Sequence, residues 1–256
     1  MNAWRRVRRA WRLVLLVVLL QLTLAAFFSS GVRAAVGRSI EPYAVLADGH
    51  LLGALAALHR DNPGLVAGYQ QVMLGSLLIS ALTWILLSPI AITRLAASPI
   101  AASASLRHVP AVLATSLWHL LPRAVLLAAF GALTKRLMPH DILGLAGIAA
   151  TAIALAFCTC ALDLARCHVV LHGARRFHPS TAFRAFGEAF HRPGVTLPSV
   201  LLSLAQWACA VGMLAIAIDA AGAPSTLWLV RALAVVGVLC GLTRLAVAVE
   251  AGPARS

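Results

Sequence analysis

Charged residues are scarce in this chain. Of its 256 residues, 11% are Asp, Glu, Lys or Arg, whereas 61% are hydrophobic. A water-soluble domain typically carries about a quarter charged residues, because its surface must be hydrated. The low charge therefore excludes an ordinary soluble protein and indicates a chain that resides in a membrane.

Acidic and aromatic residues are also few. The chain has 8 Asp and Glu against 21 Lys and Arg, and Phe, Trp and Tyr make up 6%. A basic chain can bind nucleic acid, but the folded basic domain with interleaved aromatic residues that such binding needs is missing. The basic residues lie instead between apolar segments, as the positive-inside rule describes for membrane proteins. No nucleic-acid partner is expected.

Catalytic signatures are absent from the sequence. It contains no Gly-x-Ser-x-Gly, no His-Glu-x-x-His and no phosphate-binding loop. The acidic residues are too few and too scattered for a pair of catalytic carboxylates. We therefore expect that the protein is not an enzyme and that it uses no cofactor.

Cysteine is scarce as well. The five cysteines, at positions 158, 160, 167, 209 and 240, lie within or at the ends of apolar segments. Their number is odd, so they are interpreted as small buried side chains and not as disulfide partners. Three of them lie near Asp163, His168 and His172, a set that could bind a soft or borderline metal ion. One helix rarely supplies four ligands to one ion, so no metal site is expected.

Long apolar segments, in contrast, dominate the chain. Six segments near membrane-spanning length cover about 13–30, 72–92, 122–138, 142–164, 195–218 and 227–249. Two shorter stretches, Ala44–Leu58 and Ala182–Phe190, are amphipathic and predict helices that lie on the membrane surface. The predicted fold class is all-α, with residues 1–256 forming one polytopic membrane domain of about six transmembrane helices and amphipathic interfacial elbow helices.

The distribution of basic residues predicts the orientation of the chain. With both termini in the cytoplasm, 15 of the 21 Lys and Arg residues lie on the cytoplasmic side. The positive-inside rule favours this arrangement, in a bacterial cytoplasmic (inner) membrane. The expected partners are the lipid bilayer, anionic phospholipid headgroups and other membrane proteins. Residues 13–30 can also be read as a signal peptide cleaved near Ala34, and this alternative stays open.

Asp163 is the most informative charged residue, because it lies near a membrane boundary in an otherwise apolar helix and needs a partner. Arg166 follows one helical turn later. Arg94 and Arg244 end two other segments, each within the sequence Thr-Arg-Leu-Ala. We expect an ion-pair clamp of Asp163 with Arg94, Arg166 and Arg244. A proton-relay carboxylate is the alternative.

A second ion pair is expected on the exported side. Asp219 ends the fifth segment and Arg231 lies about one turn inside the sixth, so the two can pair across the short connection. In the sixth segment, Gly237-x-x-x-Gly241 permits the close approach of another helix. Gln206 in the fifth segment is a candidate for an interhelical hydrogen bond.

Three short motifs resemble a known group of membrane proteins. They are Asp163-Leu164-Ala165-Arg166, Ala182-Phe183-Arg184-Ala185-Phe186, and Arg192-Pro193 at the start of a helix. The chain resembles bacterial six-helix inner-membrane proteins, including the membrane domains fused to some glycerophosphodiester phosphodiesterases. The resemblance implies the six-helix architecture. It implies no phosphodiesterase activity, because that domain is not present in the sequence.

For function, we expect a non-enzymatic accessory, assembly or envelope-homeostasis role in the inner membrane. A small permease or exporter is the alternative, and it would require the few polar residues of the segments to converge in the middle of the membrane. Those residues are Ser76, Ser80, Thr83, Thr151, Ser203 and Gln206. A third possibility is a lipid-modifying enzyme that uses Asp163 together with His168 and His172.

Overall fold

The computed structural model describes residues 3–23, 63–98, 102–137, 141–173, 179–219 and 224–251. Throughout these residues the regular elements are helices, and none of them is a strand. The predicted all-helical fold class is therefore confirmed for the part of the chain that the structure describes. The interfacial helix predicted at Ala44–Leu58 lies outside the described residues.

The helices are numbered in chain order. Their bounds are α1 Ala3–Arg9, α2 Trp11–Thr23 (as far as it is described), α3 Pro63–Leu95, α4 Ala102–Ser105, α5 Val109–Trp118, α6 Leu120–Leu137, α7 Asp141–Leu171, α8 Pro179–His191, α9 Pro193–Asp219 and α10 Pro224–Glu250. A 3-10 turn, Leu106–His108, joins α4 to α5.

Four helical windows among the described residues are long and apolar enough to cross a membrane. They are Leu78–Leu95, Ser103–Phe130, Ala146–Leu171 and Trp228–Glu250. They overlap the second, third, fourth and sixth predicted segments. Several of their large apolar side chains, including Leu82, Leu86 and Val236, are exposed, as expected for a surface that faces lipid. The total of six spans stays a prediction.

The window Ser103–Phe130 differs in outline from the predicted segment 122–138. It covers α5 and the first part of α6, and the break between these two helices lies at His119. Arg123 therefore lies inside the apolar window. Pro122 is the third residue of α6, in the first turn, where a missing N–H breaks no intrahelical hydrogen bond. Arg123 donates a hydrogen bond to Thr159 of α7 at 3.1 Å, so its polar head has a partner within the bundle.

The packed core lies where α7, α9 and α10 meet. α10 packs along α9, and α7 contacts α6, α8, α9 and α10. Small residues line these contacts, and Ala161, Ala165 and Ala246 are fully buried. Small side chains allow helices to approach closely, which is how helices associate within lipid. This packing brings the polar faces of the three helices together.

Arginine side chains hold one end of the bundle together by contacting backbone carbonyl oxygens and a carboxylate. We term it the arginine-rich end. Arg6 of α1 donates to the carbonyl oxygen of Leu95 at 3.0 Å and lies 3.5 Å from the carboxylate of Glu250. Arg192 donates to the carbonyl oxygen of Ala251. The ends of α3 and α10 and the start of α9 therefore lie together beside α1. Exposed arginines at this end are Arg5, Arg8, Arg9 and Arg94.

Helix α8 lies at the arginine-rich end, between α7 and α9. Its buried face consists of Ala182, Ala185 and Ala189. Phe183 and Phe190 are exposed. Phe186 faces a different way from these two, because its ring stacks on that of His119 at 4.9 Å. The small Ala185 beside it lets α8 approach the bundle, so this edge of α8 turns inward. The location of α8 on the membrane surface stays a prediction.

Candidate functional site: a buried ionic cluster

Asp163 of α7 lies at the centre of a buried group of ionic side chains. Its Oδ2 accepts a hydrogen bond from Nε of Arg244 at 2.6 Å, and its Oδ1 lies 3.6 Å from a terminal nitrogen of Arg166. Asp163 is 1% exposed, and both arginines are 5% exposed. An ion pair so far from water is electrostatically strong, because little solvent screens it. We term Asp163, Arg244, Arg166, Arg123 and His119 the Asp163 cluster.

Arg244 ties α10 to two other helices. Besides its bond to Asp163 of α7, one of its terminal nitrogens donates to the hydroxyl of Ser203 at 3.1 Å and to Oε1 of Gln206 at 2.9 Å. Ser203 and Gln206 both lie on α9. The close approach expected at Gly241 is present, since a Cβ at this position would lie 3.3 Å from Nε2 of Gln206. The glycine therefore leaves room for the amide that Arg244 uses.

Arg166 and Arg123 are each held by a hydroxyl on a neighbouring helix. Arg166 donates to Oγ of Ser116 at 3.0 Å, and Arg123 donates to Oγ1 of Thr159 at 3.1 Å. Both hydroxyls donate their own hydrogen to a carbonyl one turn earlier in their helix, which leaves their lone pairs for the guanidinium groups. The Nε atoms of Arg166 and Arg123 are buried and have no hydrogen-bond acceptor among the described residues.

His119 completes the cluster at the interruption between α5 and α6. The residue is fully buried, and neither ring nitrogen has a hydrogen-bond partner among the described residues. Its charged neighbours are Arg123, Arg166 and Asp163. The ring is fixed by stacking on Phe186 of α8. Buried polar atoms normally have a hydrogen-bond partner, so the ring nitrogens of His119 are an exception among the described residues.

The structure brings together Asp163, Arg166 and Arg244, as the clamp prediction requires, but it does not bring in Arg94. The prediction for Arg94 is wrong, because its side chain is exposed at the end of α3 while Asp163 is fully buried. The neighbours Thr93 and Leu95 occupy the buried face instead. The helix end is anchored by other groups: the hydroxyl of Thr93 lies 3.0 Å from that of Ser105.

The second predicted pair joins Asp219 and Arg231. The side chain of Asp219 lies outside the described part of the structure, so this pairing stays a prediction. Arg231 is exposed, and its guanidinium lies over the ring of Trp228 at 5.5 Å from the centroid. A cation above an aromatic face is favourable by about 0.5–1 kcal/mol at an exposed site.

The histidines near Asp163 in sequence have partners of their own. His168 lies 2.7 Å from a carboxylate oxygen of Glu188 on α8, and its ring is 5.9 Å from that of His172. Asp163 pairs with arginines and not with these histidines, so the contacts of His168 and His172 are separate from the Asp163 cluster. Across the described residues, no group of three or more His, Cys, Asp or Glu side chains is arranged to hold a metal ion.

Sequence reasoning missed Arg123 and His119 as members of the cluster. The sequence marks both only as boundary residues near Pro122. The available signal was the presence of an arginine inside an apolar stretch, which in a membrane protein points to a buried partner. Its partner, Thr159, is an ordinary hydroxyl of another helix and carries no signature of its own.

Comparisons with protein-family models, with curated proteins and with solved structures found no match for this chain. A function must therefore be inferred from its own residues and contacts.

Proposed function

We propose that this chain is an integral protein of the bacterial inner membrane with a non-enzymatic accessory, assembly or envelope-homeostasis role. In this proposal it crosses the membrane six times, with both termini in the cytoplasm. Four described windows are suited to spanning. Helix α9 adds support for a fifth span, since its 27 residues measure about 40 Å at 1.5 Å per residue, more than the roughly 30 Å hydrocarbon core.

The observation that carries the orientation is the arginine-rich end. Three helix ends meet there beside α1, so the exposed arginines of this end lie on one side of the bundle. On α1 and at the start of α2, Trp4 and Trp11 are 53% and 55% exposed and alternate with arginines. Exposed tryptophan beside arginine is typical of the headgroup region, where anionic lipids attract the positive charge. The arginine-rich end is therefore proposed to face the cytoplasm and to contact anionic phospholipid headgroups.

The role of the Asp163 cluster in this proposal is structural. Its contacts join α5, α6, α7, α9 and α10 through side chains that are buried together. Such a network favours one arrangement of helices, because its ion pairs and hydrogen bonds form only in that arrangement. A rigid clamp of this kind suits a protein that presents a stable membrane surface to partner proteins.

Reporter fusions test the topology. A cytoplasm-active and an exported-active reporter would be fused after Ser256 and inserted near Asp61. We expect cytoplasmic activity at Ser256 and exported activity at Asp61. Export of the reporter at Ser256 would contradict the six-span arrangement with both termini inside.

The permease alternative is supported by one specific observation. Two of the polar residues that it requires, Ser203 and Gln206, converge on Arg244. Purified protein in liposomes would separate the two functions. Solute or proton flux that Gln206→Leu abolishes would favour a permease, whereas flux equal to that of protein-free liposomes would favour the accessory role.

A further inference from the structure

The Asp163 cluster contains more positive charge than negative charge. Arg166 and Arg244 lie 3.6 Å and 2.6 Å from the single carboxylate of Asp163, and Arg123 is bonded to Thr159, one helical turn before Asp163 on α7. The other two carboxylates whose side chains the structure describes are engaged elsewhere, Glu188 with His168 and Glu250 with Arg6. Within the described part of the chain, the cluster therefore carries two more positive charges than negative charges.

Two uncompensated charges are costly in an apolar helix bundle. A charge removed from water is normally paired, and in membrane proteins such groups pair with one another or mark a ligand site. Several buried nitrogen atoms of the cluster also lack hydrogen-bond partners. Nε of Arg123, Nε of Arg166 and both ring nitrogens of His119 are buried without a partner among the described residues. These groups belong to neighbouring side chains of one cluster.

We propose that Arg123, Arg166 and His119 form a binding site for a phosphate group with a charge of about −2, either inorganic phosphate or a phosphate monoester. A guanidinium presents a fork of N–H donors that matches the oxygens of a phosphate, and a phosphate monoester carries a charge of about −1.5 to −2 at neutral pH. That charge matches the excess of two positive charges in the cluster. A phosphodiester, with one charge, would leave part of the excess uncompensated.

The orientation of the two guanidinium groups supports this assignment. A terminal nitrogen of each is fixed by a hydroxyl, Ser116 for Arg166 and Thr159 for Arg123, while the Nε–H edge remains without an acceptor. Arg244 is not part of the proposed contact, because Asp163, Ser203 and Gln206 already occupy its donors. The clamp and the anion site are therefore adjacent but use different atoms.

We expect a ligand to approach the site from the side of α6. Arg123 is the least buried arginine of the cluster, and α6 packs mainly against α7. Leu120, Leu121 and Val125 of α6 are 55%, 60% and 59% exposed, which is suited to a lipid-facing surface. A headgroup can reach Arg123 laterally from the bilayer in the membrane setting proposed above. Two sources share the chemistry: free inorganic phosphate and the headgroup of phosphatidic acid.

Thermal unfolding of the full chain in a neutral detergent and phosphate-free buffer tests the site. The probes are inorganic phosphate, dioctanoyl phosphatidic acid and dioctanoyl phosphatidylglycerol, with sodium chloride at matched ionic strength. We expect a saturable rise in Tm of about 5–10 °C at a hundredfold excess over Kd for at least one of inorganic phosphate and phosphatidic acid. A rise with phosphatidic acid alone identifies a lipid headgroup, and a rise with inorganic phosphate alone identifies a free ion. Both outcomes support the site, and neither depends on the proposed topology.

Variants assign the effect to the named residues. Arg123→Gln should raise at least tenfold the Kd of the phosphate probe that binds, because it removes a guanidinium that forms charge-assisted hydrogen bonds. Arg123→Lys, which keeps the charge and loses the fork, should give an intermediate Kd and serves if the glutamine variant does not fold. Arg94→Gln, an exposed change at the same end of the bundle, is the matched control and should bind as the wild type does.

Three results would overturn the proposal. The first is that neither inorganic phosphate nor phosphatidic acid raises the Tm beyond the effect of sodium chloride. The second is a rise with phosphatidylglycerol equal to that with phosphatidic acid, and the third is an equal loss of binding in Arg94→Gln and Arg123→Gln.

Discussion

Replacing Asp163 by Asn should destabilise the helix bundle while leaving the topology intact. The substitution keeps the size of the side chain and removes its charge. Arg244 and Arg166 then lose the one carboxylate that they share among the described residues. The amide oxygen of Asn can still accept the hydrogen bond from Nε of Arg244, so packing is retained and the loss is mainly electrostatic.

The magnitude follows from burial. Removing one partner of a buried ion pair costs about 3–5 kcal/mol, because the other charge stays buried and unpaired. Arg244 keeps its bonds to Ser203 and Gln206 at 3.1 and 2.9 Å, so we expect a value at the lower end, about 3 kcal/mol. Arg244→Gln should cost a similar amount. The double variant should be less destabilised than the sum of the single changes, by about 1–3 kcal/mol, because both remove the same interaction.

Titration of the purified chain with SDS in mixed micelles, followed by circular dichroism, measures these free energies of unfolding. Arg94→Gln is the control, and we expect a change within about 0.5 kcal/mol because its side chain is exposed. Unfolding of Asp163→Asn at the wild-type SDS fraction would refute the clamp. If a cellular phenotype were lost at that unchanged stability, Asp163 would instead be a proton-relay or catalytic carboxylate.

Two further predictions concern helix faces. Spin labels on α8 should report lipid at Phe190, which is 77% exposed, and protection at Phe186, which stacks inside the bundle; equal water accessibility at both would contradict an interfacial α8. Gly241→Ala should destabilise by about 1 kcal/mol, because its Cβ would lie 3.3 Å from the amide of Gln206 and disturb a hydrogen bond to a charged group. Gly237→Ala, whose Cβ meets its nearest neighbour at an ordinary 3.8 Å, should be tolerated in the same SDS assay, and an equal cost at both glycines would be inconsistent with this explanation.

The all-helical fold could be predicted from the sequence because membrane-spanning length and apolar composition are local properties. The pairing of Asp163 with an arginine was also predictable, since a carboxylate in an apolar helix requires a cation. That Arg94 does not join Arg166 and Arg244 at this carboxylate was not predictable. The same Thr-Arg-Leu-Ala sequence lies at the end of α3 and one turn before the end of α10, yet Arg244 is buried and Arg94 is exposed. The difference arises because the packing of each helix decides which of its faces meets the core.

The charge balance of the cluster is a property of the fold and not of any one segment. In the sequence, Arg123, Arg166 and Arg244 each lie near the end of an apolar segment, where an arginine is expected to meet water or headgroups. The packing of α6, α7 and α10 brings all three close to one carboxylate, and the break between α5 and α6 at His119 adds an imidazole whose ring nitrogens have no hydrogen-bond partner among the described residues. A boundary arginine needs no counter-charge, whereas a buried arginine does. The need for an anion therefore arises only when these helices come together, which explains why no motif in the sequence indicates it.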